Sequence, residues 1–329
     1  MDVSRTVART PAAFLPQDAL PSPAALPSRI LRIWRQFANA AALRDPHIFQ
    51  IFALGILLAI GAYFRDFSIR PAQIILTFAA GLFTQKICWS LDTAKPRSFR
   101  SAIITCFSLS LLLRTNGLLA HPLAATAAIS SKSLFRFRGK HLFNPATFGL
   151  IFAFVLLPGS WVSPGQWGQD VAIACWVAML GTLVTQRARR GDISWTFTAF
   201  YLGAIAIRVA YLGQRWAVWT HQLQSGALLL FAFFMISDPM TGPNSRRGRF
   251  AHAAIVAALA YAWQFRFYRI NGLIWALFIA APAVPLWDAI WPARKFEWTQ
   301  NGGGDESSTD SKTDARDARG RGGDARRAA

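Results

Sequence analysis

Acidic side chains are scarce in this chain: 16 Asp and Glu stand against 35 Lys and Arg, and charged residues of every kind reach only 16%. A soluble domain carries about 25%. Most of this sequence therefore cannot form a water-facing surface. Cysteine is rarer still. Cys88, Cys106 and Cys175 lie in separate apolar runs with no CxxC spacing, which argues against a disulfide framework or a zinc site. The five histidines, His47, His121, His141, His221 and His252, are scattered at the edges of apolar runs without metal-ligand spacing, so no metal site is expected. Walker loops, GxGxxG and Ser/His/Asp arrangements are missing as well, and with them the support for nucleotide or soluble-hydrolase chemistry.

What the chain has in abundance is apolar. Hydrophobic residues make up 53%, with 26 Phe and 13 Trp. They bunch into ten runs, at 48–64, 72–91, 101–114, 118–134, 145–163, 169–186, 195–213, 222–237, 251–266 and 271–291. Blocks of this length suit the hydrocarbon core of a bilayer. The expected fold is an all-α polytopic membrane protein of about ten transmembrane helices. The net charge of +19 then reads as loop charge meeting lipid headgroups, and no nucleic acid partner is expected.

The cations alternate. One set of loops holds Lys95, Arg97 and Arg100; Lys132, Arg136, Arg138 and Lys140; Arg187, Arg189 and Arg190; and Arg246, Arg247 and Arg249. The other set holds Arg65 and Arg70, Arg114, Arg215, and Arg266 and Arg269. The richer set belongs inside, which places both termini in the cytoplasm and the chain in a bacterial-type inner membrane. Residues 1–44 read as a cytoplasmic arm. Within it, 28–43 carries Ile30, Ile33, Trp34 and Phe37 at helical spacing among arginines, the pattern of an interfacial amphipathic helix. Residues 45–292 form the membrane domain. Residues 293–329, rich in Gly, Asp, Ser and Arg, read as a disordered cytoplasmic tail.

Ten runs divide into two sets of five, and an odd number per set inverts the second copy. Phe143-Asn144-Pro145 opening the fifth run parallels Ile270-Asn271-Gly272 opening the tenth. Two inverted five-helix repeats are the expectation, with chance likeness between apolar runs as the competing account.

Two polar turns interrupt the apolar pattern. In Gly139-Lys140-His141-Leu142-Phe143-Asn144-Pro145-Ala146, Asn144 suits an N-cap and Pro145 the first helical position. A helix start beside Arg138 and Lys140 favours a phosphate, a carboxylate or an electron-rich cofactor edge. A well-capped helix with inside cations is the plainer reading. The second turn, Ser237-Asp238-Pro239-Met240-Thr241-Gly242-Pro243, sets a carboxylate at the membrane boundary in a proline-locked turn, backed by Arg246 and Arg247. Ionisable residues at such depth are functional by default. The plainer reading pairs Asp238 with a neighbouring arginine. Lys86 and Arg208 read as snorkelling side chains, and Asp288 as a capping or pairing residue.

The GKxxFNPA turn, and the DPxTxP turn followed by Arg247-Gly248-Arg249-Phe250, together resemble the RnfD/NqrB family of membrane subunits from ion-coupled electron-transport complexes. The likeness runs over 45–292 and includes the Gly-acid-x-Ser stretch at 191–194. Arg44-Asp45-Pro46 and the compact loop after the fifth run look closer to the UnbU-like branch associated with enediyne biosynthesis. The resemblance implies membrane electron transport with other redox subunits as partners, and a role as at most one subunit of an oxidoreductase-type complex. It also implies a flavin, FMN or riboflavin. The family's Ser-x-Ala-Thr attachment motif is absent from 158–168, which has no threonine, and Thr126 only loosely echoes it. The flavin is therefore expected to be non-covalent. Lys140, Asn144, Pro145, Asp238 and Thr241 carry over as cofactor-binding motif positions, and no catalytic residue is assigned. An ion or small-solute carrier, or a membrane accessory protein of a natural-product pathway without redox chemistry, stays open beside this reading.

Overall fold

A computed structural model describes residues 45–64, 70–91, 98–162 and 171–296. The expected arm at 1–44, its amphipathic helix at 28–43 and the tail beyond 296 lie outside the described residues. Every one of the ten apolar runs overlaps a helix. In order these are α1 (Pro46–Phe64), α2 (Pro71–Leu91), α3 (Arg100–Leu112), α4 (Ala120–Leu134), α5 (Pro145–Leu156), α6 (Val171–Arg187), α7 (Gly191–Tyr211), α8 (Ala217–Leu223), α9 (Gly226–Leu230), α10 (Arg246–Phe265), α11 (Gly272–Ala280) and α12 (Val284–Ile290). A π-helical turn, Phe231–Met235, continues α9, and a 3-10 turn, Ala281–Ala283, joins α11 to α12.

Three stretches are long and apolar enough to cross a membrane by length and composition: Pro71–Leu91, Gly191–Tyr211 and Gly272–Ile290. Large apolar side chains such as Phe83, Ile87, Phe200 and Ile207 point outward from two of these helices. In water that surface would be unstable; against lipid it is the stable arrangement. The chain is a multi-pass membrane protein.

Two apolar runs end differently from the sequence expectation. The run 101–114 is helical only to Leu112, and 145–163 only to Leu156. Beyond those points the chain extends as β1 (Leu113–Thr115) and β4 (Ser160–Val162), which pair antiparallel with Leu113 opposite Val162. Non-helical backbone near a membrane must satisfy its own hydrogen bonds, and this two-stranded ladder does so. A second short ladder joins β2 (Arg136–Phe137) to β3 (Lys140–His141). Its two-residue loop, Arg138 at φ 49° and Gly139 at φ 78°, has the paired positive angles of a type I′ hairpin.

The helices meet through small residues. α2 packs along α4, α4 along α5, α7 along α10 and α10 along α11. Ala124, Ala125 and Ala128 of α4 are fully buried, as are Ala253 and Ala260 of α10. Gly149 of α5 sits so close that an added Cβ would lie 2.7 Å from the Ala124 carbonyl oxygen. Backbone approach of this kind replaces the hydrophobic effect as the glue between helices in lipid. Gly149→Ala should therefore lower thermal stability, by about 1–3 kcal/mol. Gly203→Ala, where an added Cβ meets nothing within 4 Å, should not. Detergent-phase thermal unfolding of the two variants checks this, and equal stability would contradict the packing account.

Candidate functional site

The two polar turns are distant in sequence but form one junction. The β2–β3 hairpin holds Lys140 in its second strand, and the Leu142 amide closes onto the Phe135 carbonyl at 3.0 Å. Phe143 packs edge-on against Phe135 at 5.7 Å and stacks on Phe278 of α11 at 4.7 Å. The hairpin is thereby anchored between α4 and α11, and Lys140 points into the protein.

Lys140 is nearly buried and its ammonium has three acceptors. It donates to the Gly242 carbonyl at 2.5 Å, to Asn244 Oδ1 at 3.2 Å and to Asp288 Oδ2 at 3.0 Å. Asp288 uses its other oxygen to accept from the Asn244 amide at 2.7 Å. One amine thus joins the first turn, the second turn and the last helix. Burial lowers the Lys140 pKa, opposed by the hydrogen bond and charge of Asp288.

Asn144 makes the second link. Its extended backbone precedes Pro145, and its Oδ1 accepts from the Thr147 amide at 3.1 Å, the expected N-cap. Its Nδ2 faces the Met235 carbonyl and Asp238 Oδ2, each at 3.3 Å. The π-helical turn matters here. The Ile236 amide bonds back to the Phe231 carbonyl, five residues earlier, and the Met235 carbonyl, which Pro239 has no amide to claim, accepts from the Asp238 amide at 3.3 Å as well as from Asn144. Such turns recur at functional sites.

Asp238 shapes its own turn. Oδ1 accepts from the Met240 amide at 3.0 Å, and its carbonyl accepts from the Gly242 amide at 3.0 Å and the Thr241 hydroxyl at 3.5 Å. It forms no ion pair among the described residues, so the simple pairing with Arg246 or Arg247 is not what the structure has. Burial raises the Asp238 pKa, against the Met240 and Thr241 hydrogen bonds.

The arginines that do act here are Arg190 and Arg249. Arg249 grips Asp192 with two nitrogens, Nε at 2.8 Å and Nη2 at 2.6 Å from Oδ2, and its Nη1 donates to the Asn244 carbonyl at 2.6 Å. Arg190 donates to the Pro243 carbonyl at 2.7 Å; burial, then the charge of Arg249, lowers its pKa to about 10. The start of α7 is thus tied to the second turn. By sequence both arginines count as inside loop charge, since nothing in the spacing tells which loop cation turns inward.

The junction borders a cleft of about 410 Å³. Asn144, Pro145 and Asp238 line it; Lys140 lies instead beside the small hollow next to Asp288, and Thr241 lines neither. Lys132, at the end of α4, is buried in the cleft wall, although by sequence it too counts as loop charge. His141 joins it there, its Nδ1 3.2 Å from the Lys132 carbonyl. Burial and then the charge of Lys132 push its pKa down to about 4, so the ring is neutral at pH 7.

At the other end of the helices a larger cavity, about 970 Å³, is lined by Trp161, Tyr201, Gln222, Gln224, Gln264 and Arg269 among others. Tyr201 donates to Gln264 Oε1 at 2.6 Å. Asn271, with φ 60°, opens α11 beside this cavity but makes no side-chain cap, unlike Asn144.

Two measurements test the junction. Lys140→Met leaves the Asp288 carboxylate buried without its cation and should cost about 3 kcal/mol; adding Asp288→Asn should recover part of that loss in a double-mutant cycle. Additive effects would contradict the link. The raised pKa of Asp238 means its contribution to stability is fully present below the unfolded-state value and is lost as pH rises through the folded-state value. Asp238→Asn should flatten that part of the stability–pH profile.

Residues 159–297 match the NQR2, RnfD, RnfE family. The RnfD protein of the ion-translocating oxidoreductase complex of Escherichia coli O1:K1 is 30% identical over 131 residues, which is 39% of this chain and 32% of that protein. The corresponding protein of Citrobacter koseri is 32% identical over 108 residues, 32% of this chain and 30% of its own length. The chain thus matches about a third of the length of these curated relatives. The family match contains the second turn, the Asp192–Arg249 pair and Asp288, whereas Lys140 and Asn144 stand before it. Over residues 159–297, then, the chain is similar to the NQR2, RnfD, RnfE family, in agreement with the resemblance read from the second turn.

Proposed function

We propose that this protein is a membrane subunit of an ion-translocating electron-transport assembly, the role named for its RnfD relatives. The observation that carries this reading is the junction. Its second turn and both of its acidic anchors fall in the family-matched stretch, and they close onto the hairpin that carries the first turn. Other membrane redox subunits would be its partners, with the bilayer of a bacterial-type inner membrane around it.

Ten crossings in two inverted repeats agree with the packing. α1 packs on α3, α2 on α4 and α4 on α5; in the second half α6 packs on α9, α7 on α10 and α10 on α11. The cross-contacts α1–α6 and α5–α11 join equivalent helices. Gly149 faces the Ala124 carbonyl in one half, and Gly272 faces the Ala260 carbonyl in the other. Under this reading the junction lies on the cytoplasmic side with the basic loops, and both termini share that side.

A flavin fits the residues present. The 970 Å³ cavity offers aromatic faces from Trp161 and Tyr201 for a planar ring, and the amides of Gln222, Gln224 and Gln264 for its polar edge. Arg269 stands ready for a phosphate there. The junction offers less for direct contact, because the polar atoms of Lys140 and Asn144 are already engaged. Lys140, Asn144, Pro145, Asp238 and Thr241, at the opposite end, would hold the helices around that cavity in place without touching the flavin. When bound, the flavin would supply electron transfer in one- or two-electron steps. The chain's own part is to orient the ring, keep water from it and hold the helices around it in one arrangement.

Titrating the solubilised protein into riboflavin or FMN should quench flavin fluorescence, with Trp161→Ala weakening the effect about tenfold. If neither flavin binds, the electron-transport reading loses its cofactor. Cavities at both ends of the helices favour a second reading, a carrier for an ion or small solute. That reading requires flux in liposomes that Asp238→Asn abolishes without unfolding the protein.

A further inference from the structure

Among the described residues, Lys132 is a buried cation with no carboxylate at ion-pair distance. It is 6% exposed, and its ammonium donates to the Ser101 carbonyl at 3.0 Å and the Ser101 hydroxyl at 3.1 Å, both neutral groups. Among the described residues no carboxylate pairs with it. An ammonium has three donors, and a buried one is costly unless an anion meets it. Lys140, by contrast, has Asp288. What lies beside Lys132 is the 410 Å³ cleft.

The other charged groups of the cleft do not supply the missing anion. Asp45 is held by Arg100 and bonds to the His47 amide at 2.9 Å. Asp238 acts on Lys132 through its charge but forms no ion pair with it; its carboxylate is committed to the Met240 amide and Asn144, and its burial favours the neutral acid. Arg136 adds a second cation, its Nε donating to the Lys132 carbonyl. His141 is neutral. α3 starts at the same cleft, its Arg100 amide donating to the Ser98 hydroxyl at 3.3 Å, and the positive end of its dipole faces this region.

We propose that the cleft between α3, α4 and the Asp238 turn binds an anion of the phosphate class, held by the Lys132 ammonium and flanked by Arg136 and the start of α3. The volume leaves room for an organic body attached to the phosphate, so the anion is either a soluble phosphate compound or the headgroup of an anionic phospholipid. The site does not depend on the electron-transport reading: it needs no flavin, and it lies at the opposite end from the large aromatic cavity.

The test uses the full chain, purified in uncharged detergent and freed of lipid. Inorganic phosphate, titrated against chloride at constant ionic strength, should raise the thermal unfolding temperature of the wild type. Lys132→Met should shift the midpoint of that effect at least tenfold. Lys132→Arg keeps the charge and should retain binding, as should Arg138→Gln at the exposed hairpin tip. A phospholipid source would give a different pattern, in which nanodiscs containing phosphatidylglycerol stabilise the wild type over phosphatidylcholine alone, and Lys132→Met removes the difference. Should Lys132→Met fail to fold, Ser101→Ala decides, weakening the phosphate or lipid effect several-fold if the site is real. The proposal is overturned if neither probe stabilises the wild type, or if both act equally on the wild type and on the variant that folds.

Discussion

A buried ammonium must find acceptors, and the arrangement of this protein's two polar turns follows from where Lys140 finds them. Its three partners come from the second turn and the last helix. The hairpin presenting it needs Arg138 and Gly139 at positive φ, and the aromatic packing of Phe135, Phe143 and Phe278 fixes that hairpin in place. Asn144 then caps α5 and reaches the π-helical turn, and Asp238 folds its own loop beneath both. Each link uses atoms that would otherwise be unsatisfied at the edge of a low-dielectric slab. That is why polar residues concentrate here while the helices around them are nearly bare of charge.

The same economy separates the two ends of the molecule. At the junction, polar groups satisfy one another and little capacity remains for a ligand. At the far end, Gln264, Gln222 and Gln224 face open volume, and Asn271 opens its helix without capping it. A rigid polar clasp at one end and a roomy, aromatic and amide-lined cavity at the other suit a protein that holds a planar cofactor within a fixed frame. The cleft beside Lys132 stands apart from both, a cation in search of an anion.

Much of this was legible in the sequence. Runs of apolar residues located the helices, since membrane length and composition leave few alternatives. Asn144 before Pro145 announced its cap, and Asp238 directly before Pro239, with Pro243 following, announced a locked turn. What sequence could not reveal was partnership. Lys140, Lys132, Arg190 and Arg249 all read as inside loop cations, yet one meets Asp288, one meets the neutral Ser101, one meets a carbonyl and one grips Asp192. Which cation turns inward depends on contacts between residues far apart in the chain, and composition carries no trace of them. The early ends of α3 and α5 are hidden for a related reason: Leu113 and Trp161 are as apolar as the helices before them, and only the pairing of β1 with β4 marks the change.

The central claim is that this frame serves membrane electron transport. The most direct measurement is the oxidised-minus-reduced absorption spectrum of the protein isolated from the membranes that produce it. A protein of this kind should show a visible flavin band that bleaches on reduction and is released by denaturation, as a non-covalent cofactor would be. A colourless protein that also takes up neither riboflavin nor FMN would contradict it.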